Sequence, residues 1–158
     1  MNPASPDAIF VLLVEDSPAD VFLVSHAMEQ EGLDFTLELA DDGDAAIAII
    51  DRVDTEASHP APDLLLLDIN VPRRTGNDVL ERVRRSPRCM GIPVVMISSS
   101  DSPVDRQRAF DLGATEYFRK PSTLDEFLKL GHVVRRVAMA RVHERHPHQQ
   151  PTSTPERV

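Results

Sequence analysis

Four apolar runs in this chain end on residues that can handle a phosphoryl group. Ile9 to Val14 ends on Glu15 and Asp16, Leu64 to Leu67 on Asp68, Val94 to Ile97 on Ser98, and Tyr117-Phe118 shortly precedes Lys120. Carboxylates are hard oxygen ligands for a divalent cation, and one of them can act as a nucleophile. An ammonium group and a hydroxyl donate hydrogen bonds to phosphoryl oxygens. Gathered in one pocket, the set suits a divalent cation and a phosphoryl group.

Gathering them is the task of the backbone. Short apolar runs bounded by turn residues read as buried strands, and open parallel sheets collect their ligands at the carboxyl ends of strands. Ser17-Pro18 caps a helix expected over Pro18 to Gln30, with Val21, Val24 and Met28 as its apolar stripe, Asp20 favourable to its dipole and Gly32 just past its end. Phe22 lies off that stripe, where it can contact a partner. Phe35, Leu37 and Leu39 alternate with polar residues as in a half-buried strand, and Asp42-Gly43-Asp44 starts a helix to about Ile50. The connection from Val53 to Asp63, with Pro60 and Pro62, is long enough to be a surface excursion or a docking loop. A helix over Thr75 to Arg85 follows the third run. Ser102-Pro103 caps another that Gly113 stops, Thr115 to Phe118 form a fifth strand, and Ser122 or Thr123 caps a last helix to about Arg141.

Strand then helix, repeated five times, demands right-handed crossovers. The expected fold is α/β: a flavodoxin-like, doubly wound (βα)5 arrangement with a five-stranded parallel sheet and helices on both faces. The second strand belongs at an edge and the first and third in the centre, which sets Asp16 and Asp68 on adjacent strands.

A length of 158 residues suits one domain, expected over residues 8–142, with a flexible N-terminus at 1–7 and a disordered tail at 143–158. A net charge of -9 disfavours binding to a polyanion, so no direct nucleic-acid partner is expected. The arginines from Arg73 to Arg88 read as a solvated face. The longest apolar stretch, Ala8 to Val14, is far short of the roughly 18 residues of a membrane helix, and Met1 to Asp7 lacks the cationic start of a secretory signal. A cytoplasmic location with no membrane association is expected. The lone Cys89 reads as a small apolar residue, and His143, His146 and His148 fall in the expected tail rather than in a metal site.

The last helix carries two apolar stripes: Leu124, Phe127, Leu128 and Val134 on one side, Leu130, Val133, Val137 and Ala140 on another. One serves the core. The second is expected to be an exposed seam, predicting a homodimer through the face formed by the fourth helix, fifth strand and last helix.

The segments LLVEDSPAD, LLLLDINVPRRTGNDVL, IPVVMISSSDS and GATEYFRKPSTLDEF resemble, in order, the receiver domain of two-component response regulators. Ser98 and Lys120 also follow Asp68 at separations like those of that family. The KPSTLDEF stretch and the long loop before the third strand resemble the small regulators paired with phytochrome-type histidine kinases. The resemblance implies Asp68 as phosphoacceptor for a sensor histidine kinase, bacteriophytochrome included. It implies Mg2+ held by Asp16 and Asp68, by Glu15 directly or through water, and by the main-chain oxygen of Asn70. Lys120 pairs with Asp68 at rest and with the phosphoryl oxygens afterwards. Ser98 turns its hydroxyl to the phosphoryl group, Tyr117 turns inward, and the fourth helix, fifth strand and fifth helix change shape. The switch hydroxyl is Ser rather than the commoner Thr, and Asn70 and Ser100 stand where the family tunes hydrolysis of the acyl phosphate.

Two other classes compete. A phosphatase of the haloacid dehalogenase type also uses a strand-end Asp, magnesium and Lys, but places a second Asp as general acid where this chain has Asn70, and an amide cannot supply that proton. A flavodoxin-like binder of nucleotide or flavin phosphate needs amides and little negative charge in its first loop, where Glu15 and Asp16 stand.

Overall fold

The computed structural model describes residues 7–145. Its sheet has five parallel strands in the order β2-β1-β3-β4-β5. They are β1 (Ile9–Val14), β2 (Phe35–Ala40), β3 (Leu64–Asp68), β4 (Val94–Ser98) and β5 (Glu116–Arg119). As expected, β2 lies at an edge and β1 and β3 are central. The helices are α1 (Pro18–Gln30), α2 (Gly43–Thr55), α3 (Gly76–Arg85), α4 (Pro103–Asp111), α5 (Leu124–Phe127) and α6 (Leu130–Arg145).

Side chains alternate along each strand, so the sheet feeds two cores. Leu12, Leu65, Leu67 and Met96 pack with Ile50 and Val53 of α2 and Val79, Leu80 and Val83 of α3. Val11, Leu13, Leu64 and Leu66 pack on the other face with Val24 and Met28 of α1 and Phe127, Leu130 and Val134 of α5 and α6. With neighbours on both edges and both faces, Leu64 to Leu67 are fully buried. Truncating one to Ala is expected to cost about 2 to 5 kcal/mol.

The register brings the strand ends to one level. Val14 pairs with Leu67, Asp68 with Ile97, and Ser98 with Arg119. Glu15, Asp68, Ser98 and Lys120 therefore lie within a residue or two of the same height on neighbouring strands.

Four expectations need correction. Helix α2 runs to Thr55 rather than to about Ile50, because Ile50 and Val53 continue its buried stripe against α3, and this shortens the following connection. The last helix is two: after Phe127 the backbone tightens into i to i+3 bonds, Gly131 N–H to Leu128 O and His132 N–H to Lys129 O, before α6 begins to propagate. This turn seats Gly131 against α1, where a Cβ would come within 2.4 Å of the Ala27 carbonyl oxygen. Helix α6 continues to Arg145, so residues 143–145 are helical rather than part of a tail, while residues 146–158, with His146 and His148, lie outside the described residues, as do residues 1–6. The second apolar stripe is no exposed seam either. Leu130 and Val137 are buried and Val133 packs against the same core, because α6 lies directly on α1. Phe22, as expected, is exposed, and it stacks on His26.

Candidate functional site: an acid-rich pocket at the carboxyl end of the sheet

Each functional side chain is delivered by a strand end or by the turn after it. Glu15 follows β1 and is held by its own turn: its N–H donates to Ala40 O, and its Oε1 accepts from Ser17 N–H at 3.1 Å. Ser17 caps α1, accepting from Asp20 N–H. Asp68 ends β3, and its Oδ1 accepts from the Asn70 N–H at 3.0 Å, which fixes the carboxylate rotamer. The following loop returns over Asp68, and Gly76 at the start of α3 makes this possible, since a Cβ there would lie 2.4 Å from the Asp68 carbonyl oxygen. Lys120 follows β5, and its N–H donates to Ser98 O at 2.7 Å.

The Lys120 ammonium ends inside a ring of carboxylates. Nζ lies 3.0 Å from Glu15 Oε2, 2.7 Å from Asp20 Oδ2 and 2.9 Å from Asp68 Oδ2. Burial alone would lower its pKa, but the hydrogen bonds to Asp20, Asp68 and Glu15 prevail and raise it above that of an ordinary lysine. Glu15 goes the other way from a usual paired carboxylate. Burial, reinforced by the nearby Asp68 charge, outweighs its bonds to Lys120 and Ser17 and pushes it up to about 7.

Glu15, Asp16 and Asp68 each offer a carboxylate oxygen within 4.8 Å of the others. Glu15 and Asp68 are buried and Asp16 is exposed. With Asp20, four carboxylates gather here, three of them bonded to one ammonium. The donor set fits a hard divalent cation, which would take oxygen ligands and lower the repulsion among them.

On the side of β4, Ser98 is buried and its Oγ accepts from the Ser100 N–H at 3.1 Å. Tyr117, expected to turn inward on phosphorylation, is already buried: it donates its hydroxyl to Ser100 O at 3.0 Å and carries the Arg106 guanidinium 5.5 Å from its ring centroid. Ser98, Ser100 and Tyr117 thus form one hydrogen-bonded chain from the pocket to α4. A cavity of about 490 Å³ at the other end of β4 and β5, lined among others by Arg84, Pro93, Thr115 and Arg141, contains none of these residues.

Glu15, Asp16, Asp68, Ser98 and Lys120 lie at one end of the sheet, and Asn70, expected to offer its main-chain oxygen, meets Asp68 through its N–H. Sequence reasoning missed Asp20 as a Lys120 partner, because the Ser17-x-x-Asp20 spacing reads as a helix cap. It also missed Gly76, whose only signal was a glycine at a helix start.

Comparison with known proteins agrees with this geometry. The model of the response regulator receiver domain matches residues 11–131. The chain belongs to that family of two-component response regulators. It is 33% identical over 130 residues to response regulator Rcp1 of Synechocystis sp., covering 82% of this chain and 88% of that protein. Among solved structures, the phosphorylated cyanobacterial phytochrome response regulator RcpA superposes with a TM-score of 0.76 at 28% identity, covering 84% of this chain and 96% of the other. The Mn2+-bound form of Rcp1 gives 0.71 at 29% identity, over 92% and 97%. These relatives are response regulators, and they lend the phosphatase reading no support. Among the described residues no helix is long and apolar enough to cross a membrane.

Proposed function

We propose that Asp68 accepts a phosphoryl group from a sensor histidine kinase and passes the signal to the surface of α4, β5 and α6. The observation that carries this reading is the single ammonium of Lys120 shared by Glu15, Asp20 and Asp68 beside an acidic triad. Glu15, Asp16 and Asp68, with the Asn70 carbonyl, would hold Mg2+, which would supply positive charge for the phosphoryl oxygens. An Asp68 oxygen forms the new P–O bond as the P–N bond to the kinase imidazole breaks. The imidazole nitrogen leaves with the bonding pair, neutral when its second nitrogen carries a proton. Lys120 then gives hydrogen bonds to the phosphoryl oxygens, since charge spreads over them as the bond to nitrogen loosens.

Ser98 transmits the change by exchanging its bond to Ser100 for one to the phosphoryl group, and Tyr117, tied to the same Ser100, follows. A preference of a few kcal/mol suffices to shift the populations. The same site assists hydrolysis of the acyl phosphate, with Asn70 and Ser100 flanking the path of water. The likeness to Rcp1 and RcpA supports a phytochrome-type kinase as partner. We place the protein in the cytoplasm, without a nucleic-acid partner, in keeping with its net charge of -9. A homodimer through α4, β5 and α6 draws on Val104 and Phe110 of α4 and Met139 of α6, all exposed and apolar. Sizing with and without beryllofluoride tests it, and a monomer in both runs rejects it.

The test of the phosphoacceptor is incubation with Mg2+ and acetyl phosphate followed by intact-mass measurement. Wild type gains one phosphoryl group and Asp68→Asn gains none. Equal labelling of the two refutes the assignment.

A further inference from the structure

We propose that Asp20 is a positioning residue for Lys120: it holds the ammonium at the rim of the pocket, so that a divalent cation can take Glu15 and Asp68 without displacing a lysine bound only to them. The proposal rests on the phosphoacceptor reading above.

An ammonium group has three N–H donors and no acceptor. Lys120 has three carboxylate partners, and Asp20 is the nearest at 2.7 Å. Two of the three, Glu15 and Asp68, also belong to the acidic triad with Asp16, and Asp20 does not. Cation and ammonium therefore compete for Glu15 and Asp68, and Asp20 is the partner that Lys120 can keep. Its side chain is 26% exposed against 2% for Glu15 and 8% for Asp68, which places it at the mouth.

The start of α1 shows that this geometry is not an ordinary cap. Thr75 and Asp78 at the start of α3 have the same spacing as Ser17 and Asp20. There the box is closed, with Asp78 Oδ2 accepting from the Thr75 N–H at 3.0 Å. In α1 the Ser17 N–H goes instead to Glu15 Oε1, and the Asp20 carboxylate turns to Lys120. Without Asp20 the ammonium would rest on the two carboxylates the cation needs.

The test is a Mg2+ titration of the full chain, followed by amide chemical shifts, for wild type, Asp20→Asn, Lys120→Met and the double variant. Asp20→Asn is expected to weaken Mg2+ binding roughly five- to tenfold in the wild-type background and less than about twofold when Lys120 is Met, a coupling typical of directly bonded neighbours. An equal loss in both backgrounds would mean that Asp20 acts only as a distant charge, and no loss or a gain in the wild-type background would mean that it does not assist the cation; each overturns the proposal. A wild type that ignores Mg2+ brings down the phosphoacceptor reading, and the proposal with it. Should Lys120→Met fail to fold, the ammonium can be watched directly, because Lys120 and the exposed Lys129 are the only lysines in the chain. With Mg2+ bound, the Lys120 ammonium protons should exchange slowly in wild type and as fast as those of Lys129 in Asp20→Asn. Equal protection in the two proteins contradicts the proposal.

Discussion

Two ionic clusters in this molecule use similar residues to opposite ends. Between α2 and α3, Asp54 accepts from Arg82 at 2.9 Å, Ser86 Oγ at 2.6 Å and the Arg88 N–H at 3.4 Å, while Asp51 accepts from Arg82 at 2.7 Å. Arg88 also donates to Val53 O. Acids and donors are matched there, and although burial alone would raise the Asp54 pKa, its partners hold it below the usual carboxylate value. At the carboxyl end of the sheet three carboxylates share Lys120 with Asp16 close by, and Glu15 is pushed up to about 7. The first cluster joins two helices. The second keeps an excess of negative charge that an incoming cation or a proton on Glu15 relieves, and that excess separates a working site from a structural one.

The contrast can be broken most sharply at Lys120. Lys120→Met leaves buried carboxylates unpaired and should lower stability by about 3 to 5 kcal/mol in chelated buffer, with part of the loss recovered by Mg2+. Chemical denaturation with and without Mg2+ measures this, and a loss that Mg2+ does not touch argues against a shared site. Next in size is a pH effect. Because the folded pKa of Glu15 is raised, the folded chain holds a proton that the unfolded chain releases. This contribution is full below about 4.5 and disappears as pH rises through about 7. Cation-free wild type should lose about 1 to 3 kcal/mol across that window relative to Glu15→Gln. Parallel curves for the two proteins would show that Glu15 is an ordinary carboxylate.

Asp54→Ala should cost about 1 to 2 kcal/mol through its lost hydrogen bonds and show no response to Mg2+. The Asp54 contribution has the opposite pH sign to that of Glu15. It is present above the ordinary carboxylate pKa and fades as pH falls through the lowered value. The smallest effect is at Arg106→Ala, about 0.5 to 1 kcal/mol from the lost contact with the Tyr117 ring, read by denaturation of the unphosphorylated chain.

The strands and the chemistry at their ends were legible in the sequence because local signals determine them. Leu64 to Leu67 are apolar without alternation, as a strand covered on both faces must be, and a charged residue directly after such a run belongs at the carboxyl end of the strand. The caps read at Ser17 and Ser102 stand at the helix starts, and of Ser122 and Thr123 it is Thr123 that caps α5, while Thr75, read as the first helical residue, is the cap of α3. What sequence left hidden depends on contacts between distant segments. The break before α6 follows from Gly131 meeting Ala27, and the burial of Leu130 and Val137 from α6 packing on α1. Asp20 looked like a favourable first-turn acid because local spacing could not show a lysine arriving from a hundred residues further along the chain.

The most direct test of the account is to locate the phosphoryl group itself. After reaction of wild type with Mg2+ and acetyl phosphate, peptide mass mapping should place a hydroxylamine-labile phosphoryl group on the peptide containing Asp68. A stable phosphoryl group on a serine, threonine or histidine, or a labile one on any other carboxylate, would contradict it.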